Sequence, residues 1–142
     1  MKKYVVPFLL TLLVGLSSGC VTQLKSDISP GTNLKAIKQF YVVRLPADQR
    51  GVEKLIADRL NLMGYKATAG EKAAVPAEAE AIVTYQDKWM WDITMYMIEL
   101  NVQVRQPKTE ITMATGHTLR TSLARKSPAD MVEEVLTDLF KK

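Results

Sequence analysis

The chain predicts an α+β fold: a two-layer sandwich in which two helices cover one face of a mostly antiparallel sheet of four to five strands, in the order β-α-β-β-β-β-α. Three observations predict it. Residues 79–104, AEAIVTYQDKWMWDITMYMIELNVQV, alternate apolar and polar along two long arms joined by a tight, aromatic-rich corner, the period-two signature of paired strands with one buried face. Two other segments, after Asp48 and after Ser127, carry apolar residues at three- and four-residue spacings. Finally, 142 residues of 47% hydrophobic composition suffice for one core and are too few for two ordinary domains.

Phe40 to Leu45, FYVVRL, is rich in aromatic and β-branched residues and is closed by Pro46, so it reads as the first strand. Asp48 is placed to cap a helix with Val52, Leu55, Ile56, Leu60 and Met63 on its apolar face, Glu53, Lys54, Asp58 and Asn61 on its solvated face, and Gly64 as its stop. Tyr65 to Ala69 suits a short strand, and Gly70 to Glu78, broken by Pro76, a loop. In the long hairpin, Ala81, Val83, Tyr85, Trp89 and Trp91 share one parity of the first arm. Tyr96, Ile98, Leu100, Val102 and Val104 share one parity of the second, leaving Met95 and Met97 on the opposite face.

A third arm, Ile111 to Leu123, follows the turn-like stretch 106–110, with Ile111, Met113, Thr115, His117, Leu119, Thr121 and Leu123 on the apolar parity and Gly116 on the other, as at a bulge or bend. Short connections make these three arms an antiparallel meander. Ser127-Pro128-Ala129-Asp130 then opens the clearest helix, with a capping hydroxyl, Pro in the first turn and an early acid. Its apolar face is Met131, Val132, Val135, Leu136, Leu139 and Phe140.

Residues 1–19 have the three parts of an export signal: basic Lys2 and Lys3, an apolar run from Tyr4 to Leu16, and the small residues Ser17, Ser18 and Gly19. That run falls short of the roughly 20 residues that span a bilayer. Cys20 follows directly and is the sole cysteine, so no internal disulfide can form. Leu16-Ser17-Ser18-Gly19-Cys20 resembles the bacterial lipobox, with Ser17 where that pattern has an aliphatic residue. The resemblance implies cleavage before a diacylated Cys20 and a membrane anchor made of acyl chains worth about 0.8 kcal/mol per buried methylene. It further implies the outer membrane, because Val21 stands where inner-membrane retention would require Asp.

The stretch from Thr22 to Asn33 is polar and contains the Pro30-Gly31 turn signal, so residues 20–36 read as the lipidated cysteine and a tether, with an irregular lead-in strand as the other reading. The single α+β domain is then 37–142.

The formal charge is +4, but Lys2 and Lys3 belong to the export segment, and the remaining 17 basic and 15 acidic residues nearly balance. Lys35, Lys38, Arg44, Arg50 and Lys54 are interspersed with acids, which argues against a nucleic-acid partner. The solitary His117 has no second histidine or neighbouring cysteine with which to hold zinc, and no glycine-rich phosphate loop occurs. Neither a metal nor a cofactor is expected, and the chain does not read as an enzyme.

The most distinctive stretch is Asp87-Lys88-Trp89-Met90-Trp91-Asp92. Two indoles at alternate positions lie on one face and suit either a core or a partner-binding edge. With Met95 and Met97 as a soft apolar patch, the candidate interface is Asp87, Trp89, Trp91, Asp92, Met95 and Met97. Together with Tyr85, Tyr96, Leu100, Gly116, Arg120 to Leu123 and the helix after Ser127-Pro128, this signature resembles a family of small uncharacterised bacterial lipoproteins, over the body from about Phe40 onward. The layered plan is also similar to outer-membrane accessory lipoproteins and to amino-terminal domains of periplasmic translocation proteins.

The resulting expectation is an outer-membrane-anchored lipoprotein whose periplasm-facing domain binds within a cell-envelope complex, its partners being the membrane through Cys20 and an envelope protein. Oligomeric state stays open. One alternative is a carrier or sensor of a small apolar ligand held among Tyr85, Trp89, Leu100 and Leu136. The other is a hydrolase with Asp87 and Asp92 as its acid pair.

Overall fold

The computed structural model describes residues 22–142. The signal segment 1–19 and the lipidation site Cys20 lie outside the described residues.

The described strands are β1 (Gln23–Ile28), β2 (Gln39–Val43), β3 (Lys66–Gly70), β4 (Ala81–Asp92), β5 (Thr94–Arg105) and β6 (Thr112–Leu119), and the helices are α1 (Val52–Leu62) and α2 (Pro128–Lys141). The strands form one mixed sheet in the order β1-β6-β5-β4-β2-β3. β2 runs parallel to both β3 and β4, while the β4-β5-β6 meander and β1 pair antiparallel. The α+β class and the two-helix layer match the expectation. A mostly antiparallel sheet of four to five strands falls one or two strands short of the six found, and pairing is mixed because β2 runs parallel to both its neighbours.

The extra strand comes from the segment read as a tether or a lead-in strand, and the structure has the strand. In β1 the side chains are mostly exposed and polar, with Ser26 the one that is buried, so no apolar pattern marks it. Backbone pairing to β6 over the whole length, from Gln23 opposite Leu119 to Ile28 opposite Ala114, holds it instead. Ser26 Oγ donates to Asp138 Oδ2 at 2.5 Å, and Lys142 donates to the Ser26 carbonyl, tying the edge strand to the end of α2.

Both helices pack on the face that bears Phe40, Val42, Val83, Leu100, Val102 and Val104, all almost fully buried. Ser127 Oγ accepts from the Asp130 amide at 3.1 Å, Pro128 fills the first turn, and all six apolar residues expected on α2 are buried. One core end is closed by three rings, Phe40, Tyr65 and Phe140, with centroids 5.0–5.8 Å apart. Edge-to-face pairs of this kind contribute about 0.5–1.5 kcal/mol beyond area burial.

Two details of parity and exposure depart from the expectation. In β6 it is Ala114, Gly116 and Thr118 that face the helices, while Thr115, His117 and Leu119 face the other way, and Met113, the extra residue at a bulge beside Arg105, is half-buried against the core. The reason lies at Gly116, where a Cβ would stand 2.7 Å from Val135 Cγ2, so the missing side chain admits α2 onto the sheet. On α1, Glu53 is buried rather than solvated, at 5% exposure. Asn61 is exposed as expected, and its side chain donates to the Ala67 carbonyl and accepts from the Ala67 amide, both at 2.9 Å, which holds β3 to the helix end.

Candidate functional site

β6 stops at Leu119, opposite Glu99 of β5, which itself stands opposite Lys88 of β4. Beyond that level β4 and β5 continue alone, as a two-stranded ribbon ending at Ile93. Up to Lys88–Glu99 the hairpin is in regular register. The next pair is Trp89–Met97, so Ile98 has no partner on β4 and forms a bulge. Because side chains alternate along a strand, one extra residue reverses the facing of everything beyond it.

The bulge corrects the reading of the second arm. Met97 turns into the core at 1% exposure, whereas Tyr96 and Ile98, assigned to the buried parity, lie on the opposite face and are half-buried. Met95 shares the facing of Met97 but lies beyond the helix layer and is 45% exposed. Met97 therefore leaves the candidate interface and Met95 stays in it.

The two tryptophans separate in the same way. Trp89 is half-buried against the core, donates from Nε1 to Asp87 Oδ2 at 2.5 Å, and carries the Arg50 guanidinium 4.4 Å above its ring. Trp91, one pair further out, is 70% exposed. Ile93 at the apex is 87% exposed and has φ +62, a conformation in which β-branched residues are rare. Met90 on the other face of the ribbon and Leu123 on the turn after β6 are also exposed.

Asp87 and Asp92 do not form a pair. They lie five residues apart on one strand, on opposite faces, and Asp92 is held by Arg125 at 2.7 Å. Arg125 in turn lies 3.8 Å above the Tyr96 ring. Each carboxylate thus braces the hairpin, Asp87 through an indole and Asp92 through the segment leading to α2. Ile93 and Arg125 were not singled out from the sequence, Arg50 entered only as one of several interspersed basic residues, and Tyr96 was assigned to the buried parity. The one signal for them was a bulky Ile at a corner that ordinarily takes Asn or Gly.

Below the ribbon sits a buried polar cluster. Tyr85 Oη donates to Asp48 Oδ2 at 2.7 Å and accepts from the Leu45 amide at 3.2 Å, while Glu53 Oε2 lies 3.5 Å from the same phenol oxygen. Asp48 also accepts from the amides of Arg50 (2.6 Å), Gly51 (3.2 Å) and Val52 (2.8 Å); the N-cap position itself is Gly51, and Asp48 closes the start of α1 from three residues before it. Burial pushes the Asp48 carboxyl up, but the bonds from Tyr85 and from the Arg50 and Val52 amides outweigh it and hold it below its usual value. Burial raises the Tyr85 phenol well above its ordinary range, and the Asp48 bond and charge add to the rise. The cluster fixes the loop 44–51, and with it Arg50, beneath Trp89.

His117 faces away from the helices and lies 3.1 Å from Glu99 Oε1. The bond from Asn101, reinforced by His117 against the opposing effect of burial, holds the Glu99 carboxyl below its usual range. Among the described residues no group of three or more His, Cys, Asp or Glu side chains is arranged to hold a metal ion. Leu100 and Leu136 are fully buried in one continuous core with Tyr85 and Trp89, so the lumen that a ligand carrier needs at that place is filled by side chains. An open groove of about 690 Å³ does occur at the opposite end of the sheet, between Ile37, Pro76, Glu80, Pro107 and Met113.

No protein-family model matches the chain, and no curated protein matches it. Solved structures do. The PelC dodecamer of Paraburkholderia phytofirmans has a TM-score of 0.61 at 13% identity, covering 84% of this chain and 98% of that one. A point variant of the same dodecamer in a second crystal form also gives 0.61, at 11% identity, covering 82% and 96%. At these identities the likeness is one of fold.

Proposed function

We propose that this protein is a lipoprotein of the outer membrane, acylated at Cys20, whose α+β body faces the periplasm and works by binding within an envelope complex rather than by catalysis. The observation that carries the binding reading is the hairpin end. Exposed apolar side chains, Trp91 and Met95 among them, stand on a base whose polar groups are already paired, and that is the composition of a contact surface rather than of a reaction centre. The anchor reading is supported by the lipobox-like sequence that ends at the sole cysteine.

The fold likeness to a dodecameric protein supports a further part of this reading, that several copies assemble around the complex they serve. Mass spectrometry of the membrane fraction tests the anchor and should show a diacylated or triacylated Cys20; an unmodified terminus would remove it. Co-purification from membranes with the natural chain and with Trp91→Ala tests the binding role, which fails if a folded Trp91→Ala protein retains every partner.

A further inference from the structure

We infer that the β4–β5 hairpin end is a membrane-inserting wedge that enters the phospholipid surface beside the lipid anchor. This inference rests on the anchored reading of the preceding subsection for the side of the molecule that meets the bilayer, and on the structure for the wedge.

The first argument is shape. Past Lys88 no further strand flanks the ribbon: the Arg120 amide on the Ile98 carbonyl, Arg50 on Trp89 and Arg125 on Tyr96 and Asp92 brace it, and four further residues of β4 at about 3.4 Å each carry it roughly 14 Å beyond the sheet. Its exposed apolar groups are not confined to one face. Trp91 and Met95 point one way, Met90 the other, and Ile93 caps the apex. A flat protein surface would cover one face of such a ribbon and leave the other wet, whereas a lipid layer surrounds it.

The second argument is charge. Arg50 lies over Trp89 where the apolar end meets the body, and Arg125 lies over Tyr96 halfway along the ribbon, with Lys88 and Lys126 alongside in sequence. Aromatic rings and basic heads below an apolar tip match the order of a bilayer boundary, with acyl chains deepest, then ring-binding interface, then phosphate. Asp92 is the acid nearest the apex, and it is neutralised by Arg125 at 2.7 Å.

The third argument is where the chain enters the sheet. Gln23 stands opposite Leu119, which is level with Glu99 and Lys88, so β1 begins at the same end from which the ribbon projects. Cys20 precedes Gln23 by three residues, a reach of about 10 Å at most. A bilayer holding acyl chains on Cys20 therefore lies at the level of the ribbon.

The backbone agrees with this. Ile93 is held at φ +62, where Gly would be unstrained, so a large apolar apex is kept in a strained backbone conformation.

The test uses the full lipoprotein carrying Trp89→Phe, which leaves Trp91 as the only tryptophan, reconstituted in phosphatidylethanolamine–phosphatidylglycerol vesicles. Bromine on the acyl chains should remove most of the Trp91 emission, and aqueous acrylamide should quench it weakly; adding Ile93→Asp should reverse both. Trp91 that is open to acrylamide and untouched by bromine, on a chain whose Cys20 is acylated, overturns the wedge and leaves the anchor standing. Trp91 shielded from both quenchers overturns it too, and assigns the tip to a contact with protein, a second copy included. Bromine quenching with an unmodified Cys20 upholds the wedge and removes the anchor.

Discussion

Trp89 of β4 stands opposite Met97 of β5, one residue out of step with the Lys88–Glu99 pair below it. This single bulge decides which methionine is core and which is surface. Met97→Ala should cost about 2–4 kcal/mol, as expected for a fully buried large side chain, while Met95→Ala should stay within about 0.5 kcal/mol. Urea unfolding of the two variants measures the difference, and equal losses would contradict the bulged register.

Gly116 and Val135 form a second tight pair. A methyl group at position 116 would meet Val135 Cγ2 at 2.7 Å, so Gly116→Ala should destabilise by about 1–3 kcal/mol through overpacking. Combining it with Val135→Ala should recover part of that loss beyond additivity. A double-mutant cycle with no positive coupling would show that α2 shifts freely instead.

Asp48 should give the fold a defined acid sensitivity. Its folded-state carboxyl is held below the free value of 3.8, so its contribution is fully present above that value and is lost as pH falls through the folded one. Asp48→Asn should be less stable at neutral pH by about 1–3 kcal/mol, with the gap to the natural protein closing below about pH 4. A gap that persists unchanged at pH 2 would mean that the carboxylate charge contributes nothing.

Tyr85→Phe removes the O–H that Asp48 accepts at 2.7 Å and leaves the Leu45 amide without its acceptor. A loss of about 1–3 kcal/mol is expected. The same change should loosen loop 44–51, read as faster amide exchange at Arg50 and Val52, and unchanged exchange there would place the loop's order elsewhere.

Ile93→Gly separates stability from surface chemistry. Glycine relieves the φ +62 strain, so thermal stability should hold or rise by up to about 1 kcal/mol while association of the tip with lipid weakens. A clear drop in melting temperature would show that Ile93 is packed and not merely held at the apex.

How much of this could be read in advance follows from what pattern encodes. The faces of α1 and α2 were legible because a helix repeats its burial every three to four residues, and the lower halves of β4 and β5 because side chains alternate against a covered face. β1 was not decided between tether and lead-in strand, since an edge strand held by backbone bonds has no reason to alternate. Nor was the facing of β6, where Gly116 belongs to the buried side as an absence of atoms, which no hydropathy pattern registers. Of the six candidate interface residues, Trp91 and Met95 are exposed at the hairpin end, Asp87 and Asp92 brace it, Trp89 is packed at its base and Met97 lies in the core.

The sequence by itself determined the α+β class, the two helices with their caps, the meander and the presence of a distinctive aromatic corner, because these depend on local periodicity and on side-chain chemistry within a few residues. Only the tertiary structure decided that Ile98 bulges, that Glu53 is buried beside Asp48 and Tyr85, and that the start of β1 and the hairpin tip share one end of the sheet. Those outcomes are set by register between segments far apart in the chain, where a shift of one residue reverses a face and the local pattern stays the same.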